Sequence, residues 1–175
     1  MTEFTLIKST MIDVLNQKEP MDILISAWSK KLRNGKPNPK NYPYWVEVVS
    51  GLKEKGHNVT QLLYAPNDEP KIIQCDNFIE YKSLIEAETI IQSCKIWISV
   101  DNWIHHYAFL IKKPGIVIWS RSNPKFFGYV EQINLLKDKK YLRPKQFEWW
   151  ENDVYEKDAF IEPNAVINAV NSIFL

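Results

Sequence analysis

Five cations crowd one short stretch of the chain. Lys30, Lys31, Arg33, Lys36 and Lys40 fall within eleven residues that hold no acid, directly after the aliphatic run Asp22 to Trp28. Ammonium and guanidinium groups at the end of a buried strand can neutralise phosphate, although a solvated basic loop has the same composition. Further along, Asp101, Asn102, His105 and His106 follow the apolar run IWISV, and Arg121, Ser122 and Asn123 follow IVIW. Asp101 closes a strand and is suited to capping the next helix. Adjacent helical residues diverge by about 100°, so only one of His105 and His106 can face a ligand. Arg121 has the fork that grips phosphate at two points. Ser122 can bond a ligand or form the turn before Pro124.

These groups need a frame, and the sequence supplies an alternation. After the basic loop, Pro43 stands at a plausible helix start, Trp45, Val48, Val49 and Leu52 recur at helical spacing, and Gly56 stops the run. Asn58 to Tyr64 reads as a strand. A helical stripe of Leu84, Ile85, Ala87, Ile90 and Ile91 leads into the strand Ile96 to Val100. Trp103 to Ile111 is a helix apolar almost all round. Ile116 to Trp119 is another strand, and Pro163 opens a last helix with Val166, Ile167, Val170, Ile173 and Phe174 on one face. Such β-α-β-α order predicts an α/β fold, a single Rossmann-like domain in three α/β/α layers with a mainly parallel sheet. One domain over 1–175 is expected, its core at about 21–130 and a C-terminal wrap and helix at 131–175. Residues 1–20 can add a strand or a helix. Ligands of such sheets bind beyond the carboxyl ends of the strands, which directs attention to Ser29 to Asn41, Asp101 to His106 and Ser120 to Tyr129.

Composition narrows the function. Basic and acidic residues number 22 and 21, a net charge of +1, so no global field draws the chain to nucleic acid. Seven tryptophans are scattered among apolar segments, which suits packing better than base stacking. No apolar run approaches the roughly 18 residues of a membrane span, and the N-terminus lacks a signal-like pattern. A cytoplasmic protein is expected. Cys75 and Cys94 lack CxxC spacing, and the three histidines complete no zinc pattern. G-x-G-x-x-G is absent, which disfavours a redox Rossmann enzyme.

The loops also resemble the C-terminal half of the ADP-heptose:lipopolysaccharide heptosyltransferases, which are glycosyltransferases with two Rossmann-like domains. Asp101-Asn102-Trp103-Ile104-His105-His106-Tyr107-Ala108 is similar to that family's D-S-G-x-x-H-x-A, with Asp101 at its Asp and His106 at its His. Trp119 to Pro124, then Phe127-Gly128, resembles its strand, G-x-T-x-P and aromatic-Gly pattern. Lys40-Asn41-Tyr42-Pro43 resembles its basic residue and aromatic-Pro element. Two of the family's glycines are replaced here by Trp103 and Ser120.

The likeness implies a nucleotide-sugar donor held without a metal or other cofactor. Lys36, Lys40, Asp101, Asn102, His106, Arg121 and Ser122 would line the donor and phosphate site, with His106 giving a hydrogen bond or a charge. An acidic residue for the ribose would come from Glu80, Glu86 or Glu88, with Glu86 preferred. The family keeps its acceptor site and its Asp base on an N-terminal domain, so a partner chain or a homodimer would have to supply them. The other reading is a binding module for a nucleotide, a nucleotide sugar or a protein, without catalysis.

Overall fold

The computed structural model describes residues 21–65 and 69–174; the expectation for residues 1–20 lies outside them. Six strands form one parallel sheet: β1 (Ile23–Ser26), β2 (Val59–Tyr64), β3 (Asn77–Tyr81), β4 (Ile96–Val100), β5 (Gly115–Trp119) and β6 (Ile133–Leu136). Their spatial order is β3-β2-β1-β4-β5-β6. The helices are α1 (Trp45–Glu54), α2 (Leu84–Ser93), α3 (Trp103–Leu110), the single turn α4 (Pro124–Phe127) and α5 (Pro163–Phe174).

Side-chain alternation along each strand divides the core in two. Ile23 and Ile25 of β1, Ile96, Ile98 and Val100 of β4, and Ile116 and Ile118 of β5 face one side. There they meet Trp45, Val48, Val49 and Leu52 of α1 and Val166, Ile167 and Val170 of α5. Leu24, Trp97, Val117 and Trp119 face the other side and meet α2 through Ala87, Ile90 and Ile91, and α3 through Ile104 and Ala108. The expected α/β/α layering follows. Strands β1, β4 and β5 are buried at every position, which is why they read as unbroken apolar runs.

Two strands were not legible. β3 and β6 lie at the two edges of the sheet, and most of their residues are only partly buried. Their mixed sequences NFIEY and INLL carry no clear period. β6 pairs with β5 from Ile116↔Ile133 to Trp119↔Leu136, so the sheet runs beyond the 21–130 core. Pro43 stands outside α1, which begins at Trp45 after Tyr44. The stretch from Lys137 to Lys157 is an extended wrap with two single 3₁₀ turns, Lys139–Tyr141 and Trp150–Asn152, and a third begins at Lys157.

This order fixes where a ligand can sit. The chain runs outward from β1 to β2 and β3, then returns to the other side of β1 as β4. The loops after β1 and β4 therefore diverge, opening a crevice at that switch of direction.

Candidate functional site

A cavity of about 590 Å³ occupies that crevice. Ser26 from the end of β1, Tyr64 from β2 and Tyr81 from β3 line it, with Asp101, Asn102, Trp103 and His106 beyond β4. Lys30, Asn38 and Lys40 come from the basic loop. That loop is folded by its own amides. Asn38 Nδ2 donates to the Lys30 carbonyl at 3.0 Å, its Oδ1 accepts from the Lys40 amide at 3.1 Å, and Asn41 Oδ1 accepts from the Ser29 amide at 2.8 Å. These bonds bring Lys30 and Lys40 to one rim. A turn from Leu32 to Lys36, with Gly35 at φ +78°, carries Arg33 and Lys36 elsewhere. Positive φ suits glycine.

Asp101 is the hub of the site. Its carboxylate accepts from the Ser122 hydroxyl, lies 3.4 Å from His105 Nε2 and pairs with the Lys40 ammonium at 3.3 Å. Its backbone carbonyl accepts from Ser29 Oγ at 2.7 Å. Burial alone would raise the carboxyl, but the bond with His105, the Lys40 charge and the Ser122 hydroxyl outweigh it and hold it at about 2. Asp101 does not cap α3. Asn102 does, accepting from the Ile104 amide at 3.0 Å, because β4 ends at Val100 and Asp101 is the single residue between it and the capping position. The Asn102 amide also donates to Ser26 Oγ and to the carbonyls of Ser26 and Trp28, lacing β1 to β4.

The two histidine rings stay close, with centroids 3.8 Å apart, but only one of them faces the cavity. His105 is fully buried, whereas His106 lines the cavity with Nδ1 2.9 Å from the Tyr129 hydroxyl. Burial lowers the His106 pKa, and His105 and Lys40 add to the effect. Near neutral pH His106 is therefore uncharged and acts as a hydrogen-bonding group rather than a cation.

The remaining candidates lie apart from the cavity lining. Lys36 lines an adjacent apolar groove with Pro37, Ile73 and Val154. Arg121 is held by Glu156 at 2.6 Å and Asp153 at 3.4 Å, so its fork is already filled by carboxylates. Ser122 is buried against Asp101 and acts through it. Glu86 accepts from the Lys82 amide at 2.8 Å while its own amide donates to Oγ of Ser83, the residue that caps α2. Glu88 accepts from the Tyr107 hydroxyl, and Glu80 stands on β3 rather than on a helix.

An aromatic wall was missed. Tyr64 and Tyr81 are register partners at the ends of β2 and β3, with ring centroids 5.1 Å apart, and Trp103 stands 5.5 Å from Tyr81. Tyr81 could be found only by recognising β3. A second arrangement comes from the C-terminal wrap, where the centre of the Trp150 ring lies 5.2 Å from the Lys40 ammonium and 4.2 Å from the Arg143 guanidinium.

Asp101, His105 and His106 each offer a ligand atom within 4.8 Å of the others. A metal ion fits them poorly. Lys40 and Ser122 already occupy Asp101, and the buried His105 Nδ1 has no acceptor to orient its ring as a ligand. Cys75 and Cys94 are buried free thiols, each pushed up to about 12 by burial, so neither supplies a thiolate.

No family model matches the sequence, and no curated protein sequence does. Solved structures do match. The ADP-heptose lipopolysaccharide heptosyltransferase II of E. coli superposes with a TM-score of 0.64 at 16% identity, over 99% of this chain and 52% of its own. The fold is heptosyltransferase-like. A family 9 glycosyltransferase from Veillonella parvula gives 0.68 at 14% identity, over 99% of this chain and 52% of that one. E. coli heptosyltransferase WaaC with ADP gives 0.62 at 14%, over 95% and 48%. At such identities the fold is what is shared, and this chain spans about half the length of the heptosyltransferase structures it matches. No helix among the described residues is long and apolar enough to cross a membrane.

Proposed function

We propose that the crevice between β1 and β4 binds a nucleoside-diphosphate sugar, and that the chain is the donor half of a heptosyltransferase-like glycosyltransferase. The observation that carries this reading is one cavity at the switch of strand direction, with Lys30, Lys40 and His106 on its rim and the Tyr64, Tyr81 and Trp103 rings along its wall. Ammonium groups suit a diphosphate, and flat rings suit a base or a sugar face. The likeness to a heptosyltransferase solved with ADP supports the same ligand class.

In that reaction an acceptor hydroxyl attacks the anomeric carbon and the nucleoside diphosphate departs. Lys30 and Lys40 stabilise the charge that grows on the leaving diphosphate, and His106 donates or accepts a hydrogen bond beside it. No metal is needed where ammonium groups do this work. Asp101 keeps Lys40 in place and is too firmly engaged to serve as a base. The crevice forms one wall of such a site, and the acceptor site and base come from a second body that faces it.

One observation favours a second reading, a non-catalytic nucleotide-binding module. Trp103 occupies the first turn of α3 and Asn102 caps it, so that helix end offers a phosphate less open backbone than a glycine there would. Transfer assays separate the two. A donor half predicts transfer that appears on adding the partner or rises faster than linearly with protein concentration; ligand binding with no transfer under either condition selects the module.

Variants test the placement. Lys30→Met and His106→Ala are expected to weaken nucleoside-diphosphate binding, each by about 1–3 kcal/mol, as measured by calorimetry. Lys36→Ala is expected to leave affinity unchanged, because its side chain lines the adjacent groove. A loss in Lys36→Ala with none in Lys30→Met would move the phosphates out of this cavity.

A further inference from the structure

Two cations of the basic loop are gripped by three consecutive residues of the C-terminal wrap. The Arg33 guanidinium lies 3.6 Å from the centre of the Trp149 ring, and its Nε is 2.9 Å from a Glu151 carboxylate oxygen. Trp150, between them in sequence, has the Lys40 ammonium over its ring at 5.2 Å. The ring is itself anchored. The Arg143 guanidinium lies 4.2 Å from its centre, and Arg143, only 5% exposed, donates to the carbonyls of Glu148 and Trp149 at 3.0 and 3.2 Å and pairs with Asp153 at 3.0 Å. Those contacts tie down the chain before and after Trp150.

Lys40 has two partners of different kinds. Asp101 meets the ammonium at 3.3 Å with an opposite charge, which holds it and also offsets it. An aromatic face attracts a cation through its quadrupole and carries no net charge. The ring therefore holds the ammonium without neutralising it, and the charge stays available to an anion on the cavity side. A lysine loose in water must lose rotamer entropy when it binds, whereas one already held in place loses less.

We infer that Trp150 is a positioning residue for the crevice, holding the Lys40 ammonium where a diphosphate meets it. Lys40 lines the cavity and Trp150 does not, so the ring acts on a ligand only through the lysine. The site thereby extends to the C-terminal wrap, which contributes no residue to the cavity lining. The inference rests on the donor-half reading for the identity of the anion; the contact between ring and ammonium does not depend on it.

Calorimetric titration with inorganic pyrophosphate in metal-free buffer tests it. Trp150→Leu is expected to weaken binding roughly three- to thirty-fold, a lost cation–π contact read as an affinity. Trp150→Phe keeps an aromatic face and is expected to restore most of the affinity. In a Lys40→Met background Trp150→Leu should add no further loss, because the ring then has no ammonium to hold; a purely structural role would lower affinity in either background. Nuclear magnetic resonance of the unliganded chain supplies a readout that needs no anion: the Lys40 Hε protons should be shifted upfield by the ring current and lose that shift in Trp150→Leu. Pyrophosphate affinity unchanged in Trp150→Leu, a Trp150→Phe variant as weak as Trp150→Leu, an equal loss in the Lys40→Met background or a Lys40 signal without the shift would each overturn the inference. Titration of the same chain with sugar nucleotides reports separately on the donor-half reading. A chain that binds a sugar nucleotide without this dependence on Trp150 keeps that reading and loses this inference, and one that binds neither sugar nucleotide nor pyrophosphate loses both.

Discussion

Asp101→Ala is expected to cost about 3–5 kcal/mol of folding stability, the range for breaking a buried ion pair by removing one partner. The carboxylate is nearly buried and serves Lys40, His105 and Ser122 together. Its removal strands an ammonium that is itself only 16% exposed, and leaves the Ser122 hydroxyl without an acceptor. Ser122→Ala, which removes one hydroxyl and leaves the charge pair, should cost about 1 kcal/mol. The pH dependence has a definite sign. Because Asp101 titrates lower in the folded chain than in the unfolded one, its stabilisation is complete above about pH 4 and drains away as pH falls toward about 2. Urea melts of the wild type and Asp101→Ala should therefore differ most near neutrality and converge in acid. A gap that persists unchanged at pH 2 would mean that the ion network is not what Asp101 contributes.

Trp97→Ala should cost a similar amount, about 3–5 kcal/mol, by leaving a ring-sized void on the α2 and α3 side of the sheet. Trp97 is fully buried, and Gly115 is its register partner on β5. A methyl group added at Gly115 would collide with the indole ring, so the glycine is there to admit the tryptophan. Gly115→Ala alone should cost about 1–3 kcal/mol by overpacking. The two substitutions together should cost less than their sum, because the new methyl group fills part of the void. Denaturant midpoints for the four proteins test this; strict additivity would show that the two residues do not share one space.

The difference between what the residues announced and what they concealed has a physical basis. β1, β4 and β5 were legible because they are buried on both faces, and α1 and α5 because their apolar stripes repeat at helical spacing. Asp101, Asn102 and Lys40 were legible as residues of the crevice because each lies beyond a buried strand or before a helix, where position along the chain translates into position in space, whereas His106, inside α3, was singled out by the resemblance of its segment. The finer assignment of Asp101 as a cap failed by one residue, the margin within which strand ends are set by pairing rather than by sequence. Arg121 looked free because its carboxylates arrive from Asp153 and Glu156, more than thirty residues on, in a wrap with no periodic signal. Arg33 is likewise taken by Glu151, 118 residues away. The aromatic wall stayed hidden because it depends on the β2 and β3 pairing, and β3 is a half-exposed edge strand.

Under the proposed function the crevice between β1 and β4 takes a nucleoside diphosphate through its lysine rim. The most direct measurement is calorimetric titration of the unmodified chain with ADP-, UDP-, GDP- and CDP-sugars in metal-free buffer, repeated with Lys30→Met. Saturable binding of at least one sugar nucleotide is expected, weakened at least several-fold by the substitution and unaffected by a chelator. Absence of heat across the panel at millimolar ligand, or binding that Lys30→Met leaves untouched, would contradict it.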